Sequence, residues 1–134
     1  MALREFVRRI QRRRRYYRQA KPPSCKTCME WLEYLCRNVE AAYEDLRAED
    51  WGGLELGTHE TTPYGFDEVA GYLSEEGCIS ERTADEWKRL QYELHDAAKE
   101  EDKERAWRLF DQIMELFEKT ISEINRNLGI PPWP

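Results

Sequence analysis

The sequence has no long hydrophobic run, few histidines and no strand-like stretch. No apolar segment approaches the ~18 residues of a membrane span, and no apolar core follows the basic N-terminal residues as it would in a secretory signal. Two histidines are present, and no catalytic motif stands out. No alternation of apolar and polar residues between turn signals predicts a strand. We therefore expect neither a membrane protein nor a β-fold, and we predict that the protein is not an enzyme.

Cysteine is also scarce. The four cysteines are irregularly spaced and do not resemble the disulfide framework of a small secreted protein. We therefore predict a cytoplasmic location.

Charge and aromatic side chains are abundant instead. Charged residues make up 36% of the chain, and five tryptophans and seven tyrosines occur among 134 residues. A disordered chain would carry fewer aromatic residues. The length suits one domain with its own core, so we predict a single helical domain over residues 1–134.

The charge is divided unevenly along the chain. Residues 1–21 hold nine Lys and Arg and one acidic residue, whereas the remaining residues hold 12 basic and 26 acidic ones. The two parts therefore carry +8 and -14 within a net charge of -6. Such asymmetry indicates an interaction role.

Residues 2–20 are predicted to form an amphipathic helix. At about 100° per residue, one arc roughly 100° wide is apolar, and most arginines lie on the opposite side. Arg14 is the exception, because it falls within the apolar arc. Pro22 and Pro23 end the helix. The apolar arc consists of Leu3, Phe6, Val7, Ile10 and Tyr17.

Helical periodicity continues through the rest of the chain as three apolar stripes, each on one face of a predicted helix. The stripes are Cys25, Cys28, Leu32, Leu35, Val39, Ala42 and Leu46; Ala84, Trp87, Leu90, Leu94, Ala97 and Ala98; and Ala106, Leu109, Phe110, Ile113, Leu116, Phe117, Ile121, Ile124 and Leu128. We predict a second helix from Ser24 or Thr27 to about Asp50 and a glycine-rich loop over about 51–66. Further helices are expected over about 67–76, from Ser80 or Thr83 to the "KEED" turn, and over about 103–128. Gly77 and Gly129 are expected to stop helices. The predicted fold is an all-α compact bundle of four to five helices with one long loop.

The arginine-rich segment is the first candidate site. Guanidinium groups bind phosphate in planar, bidentate fashion, and neighbouring tyrosines can stack on unpaired bases. This pattern favours binding to the RNA or DNA backbone without sequence specificity. Two alternatives stay open: the arginines pair with the acidic body of this chain or another copy, or they bind another acidic protein. The candidate residues are Arg4, Arg8, Arg9, Arg12, Arg13, Arg15, Tyr16 and Arg18.

The cysteines give a second candidate. Cys25 and Cys28 form a CxxC at the start of a predicted helix, where thiol pKa values fall. They suit a redox pair or half of a zinc site, which would need to recruit Cys78 or a histidine such as His59. Both cysteines also occupy core-facing positions, as buried free cysteines often do. We predict core cysteines and no cofactor, with zinc as the alternative.

The histidines and tryptophans carry less information. Arg89 and His95 have a spacing similar to the Arg–His pair of HEPN-type helical ribonucleases, but they lie about 240° apart around one helix. Trp87 fits the core face, and Trp31 lies at the edge of its apolar stripe. We expect at least two tryptophans to be partly exposed, as contact residues often are.

These patterns together predict a function. We expect a non-enzymatic small helical subunit or accessory factor of a nucleoprotein complex, with the basic helix on nucleic acid and the acidic body on protein subunits, copies of itself included. Only in architecture, this resembles the small helical subunits of multisubunit RNA-guided complexes. The alternatives are a protein-binding regulator, such as an inhibitor, antitoxin or adaptor, and a small zinc-binding protein.

Overall fold

A computed structural model describes residues 23–129, with side chains from Thr27 onward. These residues form five helices and no strand, which confirms the predicted all-α class. None of the described helices is long and apolar enough to cross a membrane. The predicted basic helix over about 2–20 lies outside the described residues. The five helices are α1 (Pro23–Arg47), α2 (Trp51–Gly57), α3 (Phe66–Glu75), α4 (Glu81–Lys99) and α5 (Lys103–Asn127).

The helices pack around α1 and α4. The α4 helix contacts α2, α3 and α5, and α1 packs against the same three helices from its own side. The apolar stripe predicted for α1 is buried at every position from Cys28 to Leu46. The stripe predicted for α5 is buried from Ala106 to Ile124. Period-3.6 patterning thus correctly identified the faces that form the core.

Trp87 of α4 lies at the centre of this core and is fully buried. Its ring stacks on Phe66 of α3 at 5.5 Å between centroids and meets the edge of Phe117 of α5 at 6.2 Å. Its indole N–H donates to Thr120 Oγ1 at 2.9 Å. One side chain thus joins three helices, and its single polar group is satisfied.

The predicted glycine-rich loop is shorter in the structure, because Trp51–Gly57 is helical. Asp50 caps this helix by accepting from Gly53 N–H at 2.9 Å. A Cβ at Gly53 would lie only 2.5 Å from Asp50 Oδ2, so glycine permits the close approach of the capping carboxylate. Gly53, which contributed to the prediction of a loop, therefore allows the N-terminus of a helix to be capped. Residues 58–65 form the remaining connection.

Candidate functional site: an exposed aromatic cluster

The predicted phosphate-binding residues all lie before residue 23, outside the described part of the chain. The acidic body is described, and several of its cations are paired within it. Lys103 contacts Glu49, Lys119 contacts Glu86, and Arg89 contacts Glu93, all within 3.0 Å. Carboxylates therefore already neutralise several of the lysines and arginines that the described body carries.

The cysteine prediction needs a correction. Cys28 is buried as predicted, but it forms a disulfide with Cys78, with 5.8 Å between the two Cα atoms. Cys36 is buried outside this disulfide, and its thiol donates to Glu40 Oε1 at 3.4 Å. The side chain of Cys25 is not described, so its core position stays a prediction.

Two of the proposed zinc ligands, Cys28 and Cys78, cannot bind the metal as thiolates, because their sulfurs form the disulfide. His59 is placed beside His95 and not beside the cysteines. No cluster of three or more metal-ligating side chains occurs between residues 27 and 129. Cys28, Cys78 and His59 therefore do not form a metal centre among the described side chains, which do not include that of Cys25.

The two histidines are brought together by the packing of α2 on α4. The rings of His59 and His95 meet at 5.4 Å, edge to face. His95 Nδ1 lies 3.0 Å from the backbone oxygen of Glu55 and therefore donates to it. His59 Nδ1 accepts from the backbone N–H of Thr61 at 3.1 Å. Each histidine therefore has a structural hydrogen-bond role.

The Arg–His pair suggested by the sequence is not assembled. Arg89 forms its ion pair with Glu93 on the exposed side of α4. His95 faces the end of α2, with Thr58 Oγ1 at 3.2 Å from its Nδ1. The two side chains thus serve separate local contacts, as their angular separation on the helix predicted.

The most distinctive surface feature is a group of four aromatic rings, which we call the aromatic cluster: Trp31, Tyr34, Tyr64 and Tyr72. Trp31 stacks on Tyr72 at 4.5 Å, and Tyr34 stacks on Tyr64 at 5.1 Å. Trp31 also approaches both Tyr34 and Tyr64, at 5.7 and 6.1 Å. Tyr34 and Tyr64 remain 37% and 45% exposed. The rings therefore form one continuous surface across α1 and α3.

Hydrogen bonds hold Tyr64 in this cluster. Its backbone has a φ of 55°, which is uncommon for a residue with a bulky side chain. Asn38 of α1 donates to its carbonyl oxygen at 2.8 Å, and its own N–H donates to Glu68 Oε2 at 3.2 Å. Contacts from two helices thus fix a strained residue that presents an exposed ring.

The cluster carries negative charge around its rings. Glu68 also accepts from the Tyr72 hydroxyl at 3.1 Å, and this hydrogen bond together with the carboxylate charge raises the pKa of Tyr72. Glu30 is exposed one turn before Tyr34 on the same helix. Arg37 is a cation beside the cluster, and its guanidinium carbon lies 5.4 Å from the centroid of the Tyr34 ring. Aromatic faces bordered by carboxylates attract cations.

Of the four residues in the cluster, only Trp31 was predicted from the sequence to lie near the surface, at the edge of the apolar stripe of its helix. Trp31 and Tyr34 are three residues apart, a spacing that places them side by side on a helix. No comparable signal links them to Tyr64 and Tyr72, because that contact depends on the packing of α3 against α1. Trp31, Trp51 and Trp107 are all partly buried, which confirms the expectation that at least two tryptophans are partly exposed.

Comparison with known proteins yields no matching family model, no matching curated protein and no matching solved structure.

Proposed function

We propose that this chain is a non-enzymatic small helical subunit or accessory factor of a nucleoprotein complex. Its arginine-rich segment, residues 4–18, binds the phosphate backbone of RNA or DNA, and its acidic body contacts protein subunits. The observation that carries this proposal is the division of charge, +8 in residues 1–21 against -14 in the rest. An anionic body repels phosphate, so the basic segment is the part of the chain suited to nucleic acid.

The charges of the described body support the proposal that the basic segment, and not the body, binds nucleic acid. Its cations are dispersed, and several are already paired with carboxylates or placed over a ring, as Lys88 is over Tyr92. The arginines of the basic segment are concentrated within 15 positions. Backbone binding of this kind has little sequence specificity and a steep salt dependence.

The test is fluorescence anisotropy with labelled single-stranded RNA, single-stranded DNA and duplex DNA over a salt series. We expect log K to fall by roughly 0.7–0.9 per phosphate engaged for each unit of log salt. A variant with Arg8, Arg9, Arg12, Arg15 and Arg18 changed to Gln is expected to lose this binding.

A matched control removes the same amount of positive charge from the body. It changes five exposed cations to Gln: Arg47, Arg82, Lys88, Lys99 and Arg108. This variant is expected to keep most of the affinity. Equal losses in the two variants, or no binding by the unaltered protein near physiological salt, would refute the proposal.

The second candidate function is a protein-binding regulator whose arginine-rich segment engages an acidic protein. The aromatic cluster favours it, because Tyr, Trp and Arg are the residues that dominate binding energy at protein interfaces. This candidate predicts no salt-dependent binding to oligonucleotides.

A cytoplasmic location belongs to the main proposal, and the Cys28–Cys78 disulfide is the observation that weighs against it. Free-thiol counting on protein isolated from its native source, with thiols trapped at lysis, decides this point. A cytoplasmic protein is expected to show Cys28 and Cys78 reduced.

A further inference from the structure

The aromatic cluster has a composition that favours contact with a cation. One face of each ring stacks on another ring of the cluster, whereas the exposed sides of Tyr34 and Tyr64 are open to solvent. Glu68 and Glu30 add negative charge beside these rings. Arg37 already occupies part of this environment, with its guanidinium over Tyr34. The same surface is unfavourable for a nucleic-acid strand, because the phosphates of stacked bases would approach these carboxylates.

Arg14 is the arginine of the N-terminal segment that is best suited to contact this surface. Within the predicted N-terminal helix, Arg14 lies inside the apolar arc, between Leu3 and Val7 around the helix axis. An apolar helix face packs against protein, and a guanidinium carried into that contact requires a carboxylate or an aromatic face. The other arginines of the segment lie outside this arc.

Arg14 and the rings of Trp31 and Tyr34 lie at similar axial distances from Pro23. It precedes Pro23, the first residue of α1, by nine positions, which is about 14 Å in a helix at 1.5 Å per residue. Trp31 and Tyr34 follow Pro23 by about 12 and 16 Å along α1. A segment that turns back at Pro22–Pro23 and runs antiparallel to α1 therefore brings Arg14 level with these two rings.

We propose that the aromatic cluster is the docking site for the apolar arc of the chain's own N-terminal segment, with the Arg14 guanidinium held between the tyrosine faces and Glu68. Attachment to α1 favours this occupant over a second copy, because a short connection gives an effective concentration in the millimolar range. Docking in this orientation leaves Arg4, Arg8, Arg12 and Arg15 on the outer side. The docking itself does not require nucleic-acid binding.

The test is intramolecular photo-crosslinking in the full-length chain. Tyr34→p-benzoylphenylalanine places a benzophenone in the cluster, and the same substitution at Tyr92 of α4 is the matched control. Both tyrosines are 37% exposed, and both have a cation near the ring. We expect crosslinks from position 34 to residues 3–17, identified by mass spectrometry at protein monomer mass, and few from position 92.

Two arginine variants then test the role assigned to Arg14. Arg14→Gln is expected to lower the crosslink yield from position 34 about tenfold, the size expected for one desolvated cation–π contact. Arg12→Gln removes the same charge from the outer side and is expected to change the yield less than about twofold, since exposed charges contribute little. Neither substitution removes a contact between side chains of the described body.

Several outcomes would overturn the proposal. Equal yields from positions 34 and 92, or equal losses in the two arginine variants, would indicate contact without a specific site. Crosslinks mainly at dimer mass would make a second copy the occupant, and crosslinks to added RNA would make the cluster a base-stacking site. The crosslinks within the chain are measured before any RNA is added, so docking and the proposed nucleic-acid binding succeed or fail independently.

Discussion

Glu123 shows how a single buried carboxylate connects two helices. It lies on α5 with 6% of its surface exposed, and it accepts from Thr83 Oγ1 at 2.6 Å and from the backbone N–H of Ser80. Burial acts to raise the pKa of Glu123, but these hydrogen bonds and the nearby Arg126 outweigh it and hold the pKa below the ordinary value of 4.5. The ionised carboxylate therefore stabilises the start of α4.

We predict that Glu123→Gln destabilises the protein by about 1–3 kcal/mol at neutral pH, because an amide cannot accept from both donors. A carboxylate with a lowered folded-state pKa stabilises the protein above its unfolded pKa, and this contribution is lost as the pH falls through the folded value. The deficit is therefore expected to shrink below about pH 4.

Thermal unfolding of both proteins over a pH series measures this effect. Glu115→Gln, at an exposed position on the same helix, is the control and is expected to change stability by less than about 0.5 kcal/mol. A deficit that does not vary with pH would contradict the assigned role of the charge.

At the scale of elements, two corners of the bundle are built in the same way. Glu49 follows α1 and Glu101 follows α4, and both have a φ of 54°, in the left-handed region. In the second corner, Glu101 N–H donates to Ala98 O at 3.1 Å, and Asp102 N–H donates to Ala97 O at 2.9 Å. Asp102 then caps α5 by accepting from Arg105 N–H at 3.2 Å. One helix thus ends and the next begins within three residues.

We predict that Glu101→Gly stabilises the protein by about 0.5–1 kcal/mol. Left-handed backbone costs a non-glycine residue about 1–2 kcal/mol, and glycine's greater loss of conformational entropy cancels part of the gain. Glu100→Gly is the control, because Glu100 has a φ of -85° and is expected to lose stability on the same substitution. Urea unfolding measures the free energy of unfolding of both variants, which is expected to rise for Glu101→Gly and to fall for Glu100→Gly. A fall for Glu101→Gly would show that the backbone at this corner is not strained.

At the scale of the whole molecule, one end of the bundle is joined by a covalent and a polar link. The disulfide ties Cys28 near the start of α1 to Cys78, which follows α3. Asn127 at the end of α5 donates to the Cys78 carbonyl oxygen at 3.0 Å. The cross-link spans a sequence separation of 50 residues, so it restricts the unfolded chain strongly.

We predict that reduction of this disulfide lowers the free energy of unfolding by about 4 kcal/mol on the chain-entropy estimate. The measurement is denaturant unfolding with and without a reducing agent. A Cys28→Ser/Cys78→Ser double variant is expected to be less stable by a similar amount and to show no response to the reducing agent. Equal stability of the oxidised and reduced forms would refute a structural role.

The sequence by itself determined the four longer of the five described helices and their buried faces, whereas α2 was predicted as part of a loop. The apolar stripes of α1, α4 and α5 repeat at helical period, and this signal is local, so it survives without knowledge of neighbours. Gly77 and Gly129 likewise have positive φ where helices stop, as predicted. The corners at Glu49 and Glu101 gave no such signal, because glutamate has no preference for left-handed backbone.

Tertiary structure alone decided the pairings. Cys28 meets Cys78, His59 meets His95, and Trp31 meets Tyr72, in each case across helices far apart in sequence. Periodicity tells which face of a helix is apolar, but not which helix packs against it or at what level along its axis. The aromatic cluster therefore became visible only in the folded chain, since it exists where the levels of α1 and α3 coincide.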